Sequence, residues 1–477
     1  MEQPKLTKNS GIVIPNSVGE NNLTYIKDFL TRVVPSYQNS PTITLKFYLE
    51  NESGDIKVPR YFPVDKFIDN KVEDITNEGQ DILINHNIVL RDDLQKNIVN
   101  YMLNNTNGII QANPGSGKTV TTIRAICELK KKTLILVHRD TLADQWTGPG
   151  TQEKPQGFLT FTDINPDDIG RLSSSNFKEC LMKSIVIATD QTFVSLLKRN
   201  RNEFLQELKN SNFGVLISDE AHTTTGAPTF SECSLHIPVK RTYGLSATPS
   251  RQDGTTDVME YHLGPVYIPE GKSSTMDARV TVFLVDLKLS SSKSRPYIYW
   301  GGCFQRSRYL TLLSKNEILI KISKLLIDKF YKDNRNILYV SDRIKLIENL
   351  DKICKCESKS KFIASAGNDM LDYQLTYATT GKVRDGVDAV DKDCLIMSNP
   401  IGNIEQLCGR ILRIKDGKQH PIVIDIVDFG EKNMSRSINT RLNFYKRKNW
   451  DIKFVYLDEK GFKNVSEEEA QDILFSE

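Results

Sequence analysis

The run Ala112-Asn-Pro-Gly-Ser-Gly-Lys-Thr119 constrains this chain more than any other stretch. It follows an apolar segment, Gly108-Ile-Ile-Gln-Ala112, and precedes a helical pattern from Val120 to Leu129. Strand, glycine-rich loop and helix thus fall in the order of a phosphate-binding loop, which reads as a nucleoside triphosphate site. Gly115 and Gly117 let backbone N–H groups crowd the phosphates, and the helix N-terminus adds partial positive charge. Lys118 reaches the outer phosphates, Thr119 is placed to hold Mg²⁺, and Asn113, Pro114 and Ser116 complete the cradle. Ala112 stands where the first glycine usually does, but it ends the strand and needs no positive φ.

At 477 residues the chain has room for about three domains, and alternating strand and helix patterns place most of it in the α/β class. No window approaches 18 uncharged apolar residues, and the first ten residues lack the apolar core of a signal peptide, so a soluble, cytoplasmic protein is expected. Eight scattered cysteines without zinc-site spacing read as reduced thiols. The net charge of +3 does not advertise a polyanion partner, yet it leaves room for one gripped through amides and hydroxyls.

Residues 1–88 hold two strand-like runs around a turn at Glu50-Asn-Glu-Ser-Gly54 and read as a small α+β accessory domain. Its 9 Lys/Arg against 12 Asp/Glu leave Lys57, Arg60 and Tyr61 as the one local patch for nucleic acid. A helix beginning near Val89 carries Gln95 towards the nucleotide. Two further strand-to-helix passages put His138 and Arg139, then Thr189 and Gln191, at strand carboxyl ends, where α/β sheets bind ligands. The strand-like run Phe213-Gly-Val-Leu-Ile-Ser ends in Asp219-Glu-Ala-His222. Its acids suit metal holding by Asp219 and orientation of an attacking water by Glu220. His222 and the following Ser246-Ala247-Thr248 are candidates for coupling the nucleotide to a second ligand.

These three runs, in this order, resemble motifs I, II and III of superfamily 2 helicases and translocases. The second half is similar to the rest of that set: Asn336 to Arg343 resembles motif IV, Tyr377 to Asp388 motif V, and Gln406-Leu-Cys-Gly-Arg-Ile-Leu-Arg413 motif VI. The resemblance implies two tandem RecA-like parallel-sheet domains, residues 89–262 and 310–477, with 263–309 as linker or insertion and ATP with Mg²⁺ between the domains. It adds Gly386, Asp388 and Gln406 to the ATP site and Arg343 to the nucleic-acid contacts. Helical spacing puts Arg410 and Arg413 on one face, as arginine fingers require. Within 263–309, Tyr297, Tyr299 and Trp300 beside arginine suit base stacking, and Gly301-Gly302 is the expected hinge. Residues 431–463, with 9 Lys/Arg against 4 Asp/Glu, form the expected phosphate-contact surface through Arg441, Arg447 and Lys448. The acidic end is expected to fray.

The layout looks most like the UvsW-type branch-migration helicases of large phages, and more distantly like the XPB group and the poxviral transcript-release helicase. That implies a monomeric, ATP-driven 3′ to 5′ DNA motor working on forks and recombination structures in recombination, replication and repair, in a virus- or phage-infected cell. A transcript-release or RNA and R-loop unwinding enzyme with the same motor is the alternative.

Overall fold

The computed structural model describes residues 4–34, 43–113, 115–150, 155–224, 232–249, 254–271, 276–289, 294–364, 366–384, 389–401 and 404–475. The chain forms two compact units, residues 1–273 and 274–477.

The first unit begins with a small mixed sheet of β1 (Leu6–Lys8), β2 (Ile12–Ile14), β5 (Leu49–Glu50), β6 (Ile56–Val58) and β7 (Val72–Asp74), in the order β5-β6-β2-β1-β7. β3 (Thr31–Val34) and β4 (Ile43–Lys46) pair separately. Seven parallel strands follow: β8 (Asn107–Gln111), β9 (Thr133–Val137), β10 (Ile169–Arg171), β11 (Ile185–Thr189), β12 (Val215–Ser218), β13 (Arg241–Ser246) and β14 (Val266–Tyr267). Their order is β10-β11-β9-β12-β13-β8-β14. The central strands Thr-Leu-Ile-Leu-Val and Val-Leu-Ile-Ser are buried along their whole length, which is why they read as continuous apolar runs rather than alternating ones.

The small sheet is packed against the parallel-sheet layer. Val258 belongs to its apolar core, Phe62 meets Tyr261 edge-on at 5.5 Å, and Ser10 Oγ donates to Leu235 O at 2.7 Å. Arg60, 1% exposed, donates to the carbonyls of Val239 (3.0 Å), Ile237 (2.6 Å) and Ser10 (3.2 Å). Tyr61 OH meets Thr242 Oγ1 at 2.9 Å, and burial pulls the Lys57 ammonium below its ordinary pKa. The Lys57–Tyr61 patch expected to face nucleic acid is therefore a joint within the protein. Arg60 satisfies carbonyls that would otherwise be buried without a donor.

The second unit is one eight-stranded sheet. It comprises β15 (Arg279–Val285), β18 (Ile337–Ser341), β19 (Lys359–Phe362), β20 (Leu375–Thr379), β21 (Cys394–Met397), β22 (Ile422–Asp428), β23 (Asp451–Asp458) and β24 (Gly461–Val465). The order is β19-β20-β18-β21-β22-β15-β23-β24, parallel except for the last pair. Here the structure departs from the linker reading of 263–309: β14 closes an edge of the first sheet, and β15 lies inside the second, between β22 and β23. β16 (Tyr299–Trp300) and β17 (Cys303–Phe304) form a hairpin, so Gly301 and Gly302, at φ 57° and 79°, make its turn rather than a hinge. Residues 467–475 do not fray either. Glu467–Phe475 is a helix that buries Ala470 and Leu474, opened by a reciprocal cap in which Ser466 N donates to Glu469 Oε2 (2.8 Å) and Glu469 N to Ser466 Oγ (3.1 Å).

Candidate nucleotide and nucleic-acid site

The phosphate-binding loop leaves β8 and enters the helix Lys118–Leu129 with Gly115 at φ 81° and Gly117 at φ 85°, in the left-handed region. A Cβ at Gly117 would meet Gln95 Nε2 at 2.4 Å. Gln95, 3% exposed, ties the loop down: its Nε2 donates to Ser116 O and its Oε1 accepts from Arg91 N, both at 2.9 Å. Lys118 Nζ donates to the carbonyls of Ala112 (2.7 Å) and Asn113 (3.2 Å), and Thr119 is half-buried in the first helical turn. Pro114 lies outside the described residues, as do Gly386 and Asp388.

β12 delivers the two acids. Asp219 is buried, its Oδ2 accepting from Trp146 Nε1 at 2.8 Å and its Oδ1 from Glu220 N at 2.9 Å. Burial, then the adjacent Glu220 charge, pushes the Asp219 carboxyl up to about 6, while Lys118 acts in the opposite direction. A bound cation would favour the ionised form. Glu220 has φ 48°, a conformation that costs a non-glycine residue about 1–2 kcal/mol and re-aims the chain just after the strand. His222 Nδ1 lies 2.9 Å from Ser246 Oγ and 3.4 Å from Glu220 Oε2. Ser246 Oγ accepts from Thr248 N at 3.1 Å, Ser246 O accepts from Ala112 N at 3.1 Å, and Ala247 is buried beside them. Phosphate loop, acids and Ser-Ala-Thr run are one connected network.

The residues fit a Mg²⁺–nucleotide. Two left-handed glycines open the loop at a helix N-terminus, Ser116 Oγ is buried with no hydrogen-bond partner among the described residues, and a buried carboxylate stands beside a lysine.

The nucleic-acid candidates line the same carboxyl edge. His138 and Arg139 follow β9, and Arg139 is exposed at the start of the helix Asp140–Thr147. Thr189 ends β11, paired with Val137 of β9, and its Oγ1 caps the helix Asp190–Arg199 by accepting from Thr192 N at 3.2 Å. Gln191, two residues on, is exposed. The edge therefore runs Thr189, His138, Asp219, Ser246, phosphate loop; at about 4.8 Å per strand its ends stand about 19 Å apart.

In the second unit the expected arginine pair is only half helical. The helix Glu405–Gly409 buries Gln406 and ends with Arg410, 6% exposed, as its C-cap. Ile411 N still bonds Cys408 O, but Leu412 O accepts from Met276 N at 2.7 Å, so the chain has turned extended before Arg413. The i, i+3 face does not exist, because pairing with the segment at Met276 replaces the next helical turn. Arg343 follows β18 and donates from Nη2 to Ser307 O (2.8 Å) and Oγ (3.1 Å).

Arg441 departs furthest from expectation. It is 1% exposed and donates from Nε to Asp425 Oδ2 at 2.7 Å, where Tyr445 OH also donates at 3.0 Å. The sequence carried a signal: Met434, Ile438, Arg441 and Tyr445 share one helical face, and all are buried. Arg447 and Lys448 reach the surface, but both pair with Glu405, at 3.2 and 3.0 Å. Trp146 gave no local signal for its bond to Asp219, since as an apolar helix residue it looks like ordinary core.

Residues 80–251 match the family model described as "Type III restriction enzyme, res subunit". Over 476 residues the chain is 26% identical to a putative ATP-dependent RNA helicase of Acanthamoeba polyphaga mimivirus, covering 95% of this chain and 87% of that protein. It is 24% identical over 380 residues to a probable helicase of Escherichia phage T5, covering 75% and 77%. Among solved structures, a putative HsdR subunit of a type I restriction enzyme from Vibrio vulnificus YJ016 shares the fold at a TM-score of 0.52, with 15% identity over 78% of this chain and 69% of that one. By its motifs, its family match over residues 80–251 and these relatives, the chain resembles the superfamily 2 helicases and, among them, the DEAH-motif enzymes of the UvsW type.

Proposed function

We propose that the chain is an ATP-driven 3′ to 5′ motor that tracks one strand of DNA and remodels forked or recombination intermediates. The observation that carries the motor reading is the continuous network from the phosphate loop through Asp219 and His222 to Ser246, on the edge that also presents Arg139 and Gln191. In this reading Lys118 and the amides of Gly115 to Thr119 hold the phosphates, with Gln95 fixing the loop. Thr119 and Asp219 hold Mg²⁺, which supplies charge neutralisation on the phosphates. Glu220 orients the attacking water. The motif VI resemblance assigns Gln406, Arg410 and Arg413 to the nucleotide, the arginines taking charge that develops on the γ-phosphate. His222 and Ser246 pass the change along the edge to His138, Arg139, Thr189 and Gln191, which with Arg343 contact the strand. Polarity and branched substrates come from the UvsW-type resemblance.

A second reading is RNA remodelling, favoured by the mimivirus relative, which is named an RNA helicase and aligns with 95% of this chain. Measuring ATP turnover with duplex DNA, forked DNA and structured RNA separates the two. Greater stimulation and unwinding by forks supports the DNA motor, and preference for RNA replaces it. Glu220→Gln is expected to bind nucleotide without turning it over; near-normal kcat in that variant refutes the assignment of the acids.

A further inference from the structure

Residues 294–308 contain three arginines and no acid. The short helix Arg295–Ile298 leads into the β16–β17 hairpin, whose inner face is anchored. Ile298 is buried, Tyr299 OH donates to Glu431 Oε1 at 2.8 Å and accepts from Asn433 Nδ2 at 2.9 Å, and the Tyr299, Phe304 and Tyr309 rings follow one another at 5.7 Å. The hairpin's outer face carries Trp300, 66% exposed, and the short helix before it carries Tyr297, 44% exposed. Arg308 lies over both rings, 5.1 Å from Trp300 and 5.5 Å from Tyr297, and donates to Tyr297 O at 3.3 Å. The residue before it, Ser307, accepts the two hydrogen bonds from Arg343.

Packing accounts for Tyr299 and Phe304 but not for the outer pair. A turn through two left-handed glycines needs no tryptophan beside it, and leaving a large ring in water forgoes the gain from burying it. Rings held by an anchored helix and hairpin, with a guanidinium on them and no acid in the segment, suit a flat, electron-rich partner attached to a polyanion. We propose that Trp300 and Tyr297, with Arg308, form a stacking platform for an unpaired base of the strand contacted by Arg343. This rests on the nucleic-acid reading above.

The three tryptophans make the test direct, since Trp146 is 0% and Trp450 7% exposed, so quenching from outside reports Trp300. Single-stranded oligodeoxythymidylate added to the full chain is expected to quench tryptophan emission. Trp300→Phe should abolish the quench yet keep most of the affinity, because a phenyl ring still stacks. Trp300→Ala should melt like the parent but bind the oligonucleotide roughly 5- to 150-fold more weakly, the loss of one base–aromatic stack. Its log K versus log salt slope should hold, whereas Arg343→Ala should flatten that slope by ~0.7, one single-strand phosphate contact. Wild-type binding with a quench that survives Trp300→Phe, or unchanged affinity in Trp300→Ala, overturns the platform alone and leaves the outer rings to a protein partner. If the wild-type chain binds neither single-stranded nor forked DNA, the platform falls together with the function it rests on.

Discussion

Arg441→Ala is predicted to destabilise the second unit and to leave nucleic-acid affinity of the folded protein unchanged. The Arg441–Asp425 pair is 1% and 0% exposed, with Nε and Oδ2 2.7 Å apart. Asp425 lies on β22, Oδ2 retains only the Tyr445 hydroxyl after truncation, and Oδ1 has no hydrogen-bond partner among the described residues. Removing one member of such a buried pair leaves an uncompensated charge and costs about 3–5 kcal/mol. At about 2–4 °C per kcal/mol for a unit of this size, the midpoint of its transition should fall by about 6–20 °C. Thermal unfolding followed by circular dichroism gives the shift, and hydrogen exchange at the Asp425 to Val427 amides localises it to β22. The double variant Arg441→Met with Asp425→Asn should recover most of the loss, because the stranded charge is gone while Tyr445 keeps an acceptor. An Arg441→Ala protein that melts like the parent and loses about one phosphate contact from its salt slope would refute this reasoning and return Arg441 to the surface.

Trp146→Phe keeps the ring packing but deletes the donor to Asp219, so turnover should drop ~10-fold or more while nucleotide binding without Mg²⁺ is retained; unchanged kcat and unchanged Mg²⁺ dependence would show that the indole merely fills space. Asp428, buried and bonded by Tyr309 OH at 2.7 Å and by the Leu287 and Gly430 amides at 3.1 Å, has its carboxyl pushed up to about 6 by burial. The folded state then holds the proton more tightly than the unfolded one between about pH 4 and 6. Its contribution to stability is therefore full below about pH 4 and lost as pH rises through 6, by at most ~3 kcal/mol. Urea unfolding of Asp428→Asn minus wild type should show that slope removed. Arg447→Ala with Lys448→Ala should change the fork-binding salt slope by no more than about one contact, ~0.9, since Glu405 already neutralises one of the two charges; a loss near twice that size makes both residues phosphate contacts. Arg413→Lys should cripple turnover despite keeping the charge, because the planar fork is lost, and parental kcat in that variant would remove Arg413 from the nucleotide site.

What the sequence determined by itself was the set of local devices. A strand, a loop with two left-handed glycines and a helix need no distant residue to announce a phosphate site; Asp219-Glu-Ala-His222 is legible because it follows a continuous apolar strand, and Ser246-Ala-Thr248 because it ends the strand after it. The parallel α/β character followed from the same runs. Tertiary structure decided whatever depends on a partner far along the chain. β15 looks like a linker strand until β22 and β23, more than a hundred residues on, enclose it. Lys57, Arg60 and Tyr61 look like a contact patch until the carbonyls near Ile237 and Val239 cover them. Arg441 and Arg447 lie on one basic helix, yet only the first faces β22, where Asp425 makes burying a guanidinium tolerable. Charge in a sequence tells which side chains prefer water; whether a given one finds an acid or a carbonyl inside instead is set by the packing of elements that the local pattern does not specify.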